Sequence, residues 1–338
     1  VTLLLTELVG SYALPGWLLL AEERQEESGD LGESDLQELL DDAVRIAVVE
    51  QEAAGLDTIT DGEMRRRDFI QNFYGRLSGL CTLPPTRRLG ATGYDQNPRH
   101  VVVDKISAPK GLGIVEEFEF LRTITTKPVK VCVPGPFTLT QPLILDGGYG
   151  DQGELLNDIA TIVNAELRAL AAAGADYLQV DEPRYATSRE GAAPLVELFN
   201  RTRNDVEARV GLHVCFGNFK GRSRDPRDYS QLFPWLLEAR ADQFNLEFAN
   251  RQLHQIALLE QFPKQARIGV GVIDVKSYFV ETPEEVASSI RVALQHASPE
   301  QLAIIPDCGF NHCPRHVARN KMEAMVQGAA VVRAELAG

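Results

Sequence analysis

Along this chain a short apolar run of β type is followed by a stretch with helical periodicity, and the alternation is sustained to the C-terminal region. Strands separated by helices return to the same end of a sheet and must pair in parallel, so the repeat confines the chain to a few α/β architectures. Eight β-type runs stand at 2–9, 56–60, 129–133, 177–180, 212–216, 243–248, 267–272 and 302–306. Helical patterns stand at 35–54, 154–173, 194–209, 229–239, 253–262, 283–296 and 315–336. Eight repeats predict closure into a (β/α)8 TIM barrel, with an open doubly wound sheet as the alternative. The punctuation agrees: Gly55 and Gly174 stand as helix stops, and Thr282-Pro283-Glu284-Glu285 as a helix start.

The rhythm breaks between the second and third runs. Residues 68–127 carry Leu83-Pro84-Pro85, a hairpin signal at 101–106 and an additional helical stretch at 114–123. They are read as an insertion over the barrel mouth within one domain spanning 1–338. A length of 338 residues suits a single barrel of this kind.

Charge and cysteine usage narrow the function. A formal net charge of −14 opposes an extended contact with nucleic acid, and the one basic cluster is Arg65-Arg66-Arg67. The apolar clusters near the start are too short to span a bilayer, so a cytoplasmic location is expected. Five cysteines are an odd number that argues for reduced thiols or metal ligation over a disulfide framework.

Barrel chemistry gathers at the C-terminal ends of the strands, where the loops converge. His213 and Cys215 are two apart in a strand and so point to one side. Glu247 ends the sixth run and Cys308 follows the eighth. One imidazole, two thiolates and a carboxylate form a complete tetrahedral set for Zn2+. Their three negative charges outweigh the metal's two positive ones, so a sulfur that joins them loses its proton yet keeps its electron density. The carboxylate, the hardest of the four, is the ligand expected to yield to an entering thiol. His213-Val214-Cys215 alone would equally suit a core histidine and a buried thiol; Glu247 and Cys308 at two other strand ends favour the metal. A competing local cluster joins Cys308 to Cys313 near His312 and His316, while Cys81 and Cys132 read as structural.

Seven segments in order resemble one family: Val9-Gly10-Ser11-Tyr12, Thr60-Asp61-Gly62-Glu63-Met64, Gly135-Pro136-Phe137-Thr138, Gln179-Val180-Asp181-Glu182-Pro183, His213-Val214-Cys215, Gly271-Val272-Ile273-Asp274 and Pro306-Asp307-Cys308-Gly309. The resemblance is to the C-terminal catalytic barrel of cobalamin-independent methionine synthase, and more closely to its short single-barrel "core" relatives. It implies a zinc enzyme that moves a methyl group to the thiolate of homocysteine. It further implies that Ser11, Glu63 and Asp181 hold the amino acid part of homocysteine, the two carboxylates facing its ammonium. Asp274 and Lys276 are the candidate catalytic residues, falling where the long enzymes carry an aspartate and, after it, a histidine that resembles a proton donor. Those enzymes also have a tryptophan after the Gly-Pro element, where this chain reads Thr140-Gln141-Pro142. These departures lead to the expectation that the methyl donor is a methylated corrinoid on a partner protein, docked near Arg65, Arg66 and Arg67 unless those arginines are spent in surface ion pairs. Methyltetrahydrofolate is the alternative donor. Alkyl transfer to another thiol such as coenzyme M, and a non-enzymatic corrinoid-protein-binding or metal-storage barrel, are the competing functions.

Overall fold

The computed structural model describes residues 2–84, 98–188, 191–218 and 226–338. Seven strands form the main sheet: β1 (Leu5–Thr6), β4 (Val131–Pro134), β6 (Tyr177–Asp181), β7 (Arg209–Val214), β8 (Gln243–Leu246), β9 (Arg267–Ile273) and β10 (Leu302–Pro306). All pair in parallel, in the order β1-β10-β9-β8-β7-β6-β4. The second run of the sequence fills the gap between the sheet's two ends. Thr58 bridges Glu7 and Ile59 bridges Val129, both in parallel, with Ile59 N donating to Pro128 O at 2.9 Å and Lys130 N to Ile59 O at 2.9 Å. The expected TIM-type closure is present, with one wall reduced to two bridges.

The helices α2 (Glu33–Ala54), α5 (Gln152–Ala172), α6 (Ala192–Thr202), α7 (Pro283–Ala293) and α8 (Arg315–Ala337) follow the sequence pattern. Thr282 starts α7 as anticipated: its side chain accepts from Glu285 N at 3.2 Å, and the Glu285 carboxylate accepts from Thr282 N at 2.7 Å. Two expected helices are replaced by short 3-10 helices, Trp235–Glu238 and Ile256–Gln261. Pro234 interrupts the first, having no N–H to give to a helix interior. The second is broken by Leu253 and Gln255 at positive φ. Two α-helices among the described residues were not anticipated: α1 (Gly16–Ser28), whose apolar residues cluster at its start instead of recurring every three to four positions, and the five-residue α4 (Pro136–Thr140), too short to show a period.

Within the inserted segment, β2 (Ser78–Leu83) and β3 (Arg99–Ser107) pair antiparallel, and β5 (Leu143–Leu145) adds to β3 in parallel. Residues 85–97 of the insertion, Pro85 included, lie outside the described residues. The helix α3 (Ile114–Ile124) packs against both α2 and α5, in the ring of barrel helices. Among the described residues, no helix is long and apolar enough to cross a membrane.

The lower barrel interior is polar and internally satisfied. Glu7 Oε1 accepts from Lys130 Nζ at 3.1 Å, Tyr177 OH at 3.2 Å and Gln243 Nε2 at 2.7 Å. Gln243 Nε2 also donates to Asn245 Oδ1 (2.8 Å), Asn245 Nδ2 to Gln179 Oε1 (2.6 Å), and Gln179 Nε2 to Asp181 Oδ1 (2.7 Å). Side chains two apart on β6 and β8 thus climb the barrel axis toward the mouth.

Candidate metal centre and active site

The alternation of β7 turns His213 and, just past the strand, Cys215 toward the mouth; Cys308 comes from the loop after β10. Their ligand atoms lie within 4.8 Å of one another. The Cys215 and Cys308 sulfurs are 3.7 Å apart. Two sulfurs on a tetrahedral zinc, each about 2.3 Å from it, stand roughly 3.8 Å apart, so this separation fits the ion. His213 Nδ1 donates to the Asn245 carbonyl at 3.1 Å, which leaves Nε2 as the coordinating nitrogen. That Nε2 is buried and has no hydrogen-bond partner of good geometry among the described residues. Burial pushes the His213 pKa down, but the neighbouring Cys308 outweighs it and the net direction is up. Cys308 is drawn well below the ordinary thiol range by the hydrogen bond from Cys215, with His213 adding to the effect. A buried imidazole with an unused lone pair facing two thiols is a donor set that zinc satisfies.

Glu247 stands beside this trio, outside the mutually close group. Its Oε2 accepts from Phe216 N at 3.2 Å and pairs closely with Lys276 Nζ, while Oε1 is buried without a hydrogen-bond partner. Both side chains of the Glu247–Lys276 pair are sealed from solvent, at 0% and 1% exposure. Tyr229 OH accepts from Glu247 N at 2.8 Å and donates to Val214 O at 2.9 Å, tying the carboxylate's backbone to β7. Asp307 accepts from the amides of Phe248, Ala249 and Asn250, which fixes the turn that follows.

A cavity of about 200 Å³ opens over the centre. His213 and Cys308 line it together with Ser11, Glu63 and Asp181. Two glycines allow this approach. A Cβ on Gly309 would fall 1.9 Å from Ser11 Oγ, and one on Gly10 2.6 Å from Glu63 Oε1. Glu63 itself sits at φ 55°, its amide held by Asp61 Oδ1 at 3.0 Å, so the Asp61-Gly62-Glu63 turn aims the carboxylate inward at a strained backbone position. Burial pushes Glu63 up to about 8 against the pull of Arg66, and Asp181 up to about 6 against His213 and Gln179.

Asp274 and Lys276 do not line this cavity. Asp274 accepts from Lys276 N at 2.8 Å and Asn250 Nδ2 at 2.9 Å, so it organises the loop behind the centre. Cys313 points away from the trio, donating to Val275 O at 3.2 Å. Arg65 pairs with Asp41, and Arg66 is buried between Glu117 (2.8 Å) and Glu63 (3.4 Å). These two are therefore ion-pairing arginines, though Arg66 is buried where the alternative reading expected surface pairs, and Arg66 lies beside Glu63. Reading by motif missed Phe69, Ile70, Arg184, Phe216 and Asn218 of the cavity wall, because single aromatics and polar residues in loops carry no spacing signal.

Comparison with known proteins identifies the family. The family described as "Cobalamin-independent synthase, Catalytic domain" matches residues 4–331. The chain belongs to that family. A protein named methionine synthase from Sulfurisphaera tokodaii is 36% identical over 332 residues, covering 98% of this chain and 93% of the relative. Another of that name, from Saccharolobus solfataricus, is 35% identical over 335 residues, covering 99% and 96%. Among solved structures, a B12-independent methionine synthase from Shewanella sp., in complex with selenomethionine, superposes with a TM-score of 0.85 at 29% identity, over 99% of each chain. Membership in a cobalamin-independent family does not support the corrinoid protein expected from the sequence as methyl source, and methyltetrahydrofolate fits better.

Proposed function

We propose that this protein methylates homocysteine to methionine at a zinc centre held by His213, Cys215, Cys308 and Glu247, with methyltetrahydrofolate as donor. The observation that carries this reading is a buried imidazole nitrogen with no hydrogen-bond partner of good geometry close to two thiols, with His213 and Cys308 lining one cavity together with two buried carboxylates. Zinc, when bound, lowers the pKa of a thiol that joins it while two cysteine sulfurs keep that thiol electron-rich. Glu63 and Asp181 bind the ammonium of homocysteine, and the Ser11 hydroxyl contacts its carboxylate end, so the substrate sulfur is directed to the metal centre. Paired acids fit an ammonium and repel a sulfonate, which opposes coenzyme M as acceptor. Phe69, Ile70, Pro183 and Phe216 give the cavity an apolar wall for a flat ring system and exclude water from the reacting atoms. In the transfer the sulfur–methyl bond forms, the methyl–nitrogen bond of the donor breaks, and the leaving nitrogen takes up a proton.

The test is a methyl-transfer assay with zinc-loaded protein and homocysteine, offering methyltetrahydrofolate, its polyglutamate and methylcobalamin side by side. Methionine formed from a folate donor is the expected result. Formation from methylcobalamin alone would overturn the donor assignment, and no methionine from any donor would overturn the activity.

A further inference from the structure

Lys276 is a buried cation beside a centre whose own ligands are anionic, and nothing in the amino acid or donor site uses it. Its ammonium group pairs with Glu247 Oε2, and its backbone amide is fixed by Asp274 Oδ1 at 2.8 Å. The loop that carries it is thus held in place independently of the ion pair. Asp307, the other acid near it, already accepts three backbone amides and is spoken for. Glu247 keeps its second oxygen, Oε1, buried and unpartnered, so one carboxylate presents one oxygen to a cation of this chain and has another to give.

We propose that Lys276 is a positioning residue that receives Glu247 when the substrate thiol takes its place in the metal centre. The proposal rests on the four-residue zinc site described above. A carboxylate released from a metal inside a barrel would be a buried unpaired charge, an arrangement proteins pay for heavily. With Lys276 in place, Glu247 keeps a cationic partner through Oε2 whether or not Oε1 is on the metal, so its release exposes no bare charge. Homocysteine would enter as a thiol and its sulfur would take the ligand position that Glu247 would hold on a bound zinc, its proton leaving to solvent, while the Glu247 carboxylate keeps the Lys276 ion pair already formed in the structure. The same cation competes with zinc for Glu247 and repels the ion at short range, so Lys276 weakens metal binding while it favours substrate entry. A residue with a purely structural role would not act on the two in opposite directions.

The experiment compares wild type, Lys276→Met and Glu247→Gln by zinc competition against a chelator, and by absorption of the cobalt-substituted proteins during homocysteine titration, in which thiolate-to-cobalt charge transfer grows as a third sulfur joins. For Lys276→Met the account expects zinc affinity equal to or above wild type, with the half-saturating homocysteine concentration raised about tenfold or more. Wild-type homocysteine titration in Lys276→Met overturns the proposal, as does parallel loss of zinc and homocysteine binding. Glu247→Gln reads the underlying site separately: weakened zinc binding supports Glu247 as a ligand, and unchanged zinc affinity removes it from the site whatever Lys276 does.

Discussion

The two ends of the barrel interior handle buried polar groups in opposite ways. In the lower half, Glu7, Lys130, Tyr177, Gln179, Gln243 and Asn245 bond to one another in a continuous network. At the mouth, His213 Nε2 and Glu247 Oε1 are as deeply buried yet have no hydrogen-bond partner among the described residues, and two thiols face each other. Burying a polar group without a partner costs about 1–3 kcal/mol, so a fold that satisfies one region and leaves the other open marks the second for a ligand. The lower network is the scaffold: through Asn245 and Gln179 it reaches His213 and Asp181, and so sets the metal side and the substrate side against each other.

Paired substitutions at the two ends give the sharpest break. Lys130→Met strands the Glu7 carboxylate and is expected to cost about 3–5 kcal/mol of stability, while the folded fraction still binds one zinc. Cys308→Ser is expected to change the stability of the metal-free protein by about 1 kcal/mol or less, yet to weaken zinc binding beyond the roughly 10–100-fold that loss of an outer partner causes, and turnover with it. Denaturant melts with zinc titrations check both, and the contrast fails if Cys308→Ser holds zinc like wild type or Lys130→Met costs nothing.

A smaller effect concerns pH at the substrate side. Glu63 titrates near 8 in the folded protein, above its ordinary value of 4.5, so the folded chain holds that proton more tightly. The folded state therefore loses relative stability as pH rises from 4.5 toward 8. An ammonium needs the carboxylate, so ligand binding moves the other way over the upper part of that window. Methionine, which carries the ammonium without a thiol, is expected to bind roughly tenfold more tightly at pH 8.5 than at pH 6.5 by calorimetry. Affinity that is flat or falls across this range would remove Glu63 from the ammonium site.

The mouth was more legible in the sequence than the scaffold beneath it. His213, Cys215 and Cys308 stand at strand ends, where the i, i+2 alternation and barrel topology predict a shared face, and the structure brings them together. Asn245 and Gln179 gave no such signal, because an isolated amide within an apolar run has no partner visible along the chain. The Glu247–Lys276 pair joins residues 29 apart on different loops, a contact that only the closed barrel creates. The expected helices at 229–239 and 253–262 failed for local reasons, Pro234 in one and left-handed backbone in the other.

The central claim, a thiolate-activating zinc centre at the barrel mouth, is tested most directly by zinc-edge X-ray absorption of the loaded protein with and without homocysteine. The account predicts two sulfur and two nitrogen or oxygen neighbours in the free enzyme, and three sulfurs with one nitrogen once homocysteine is added. A shell of nitrogen and oxygen alone, or a sulfur count unchanged by homocysteine, would contradict it.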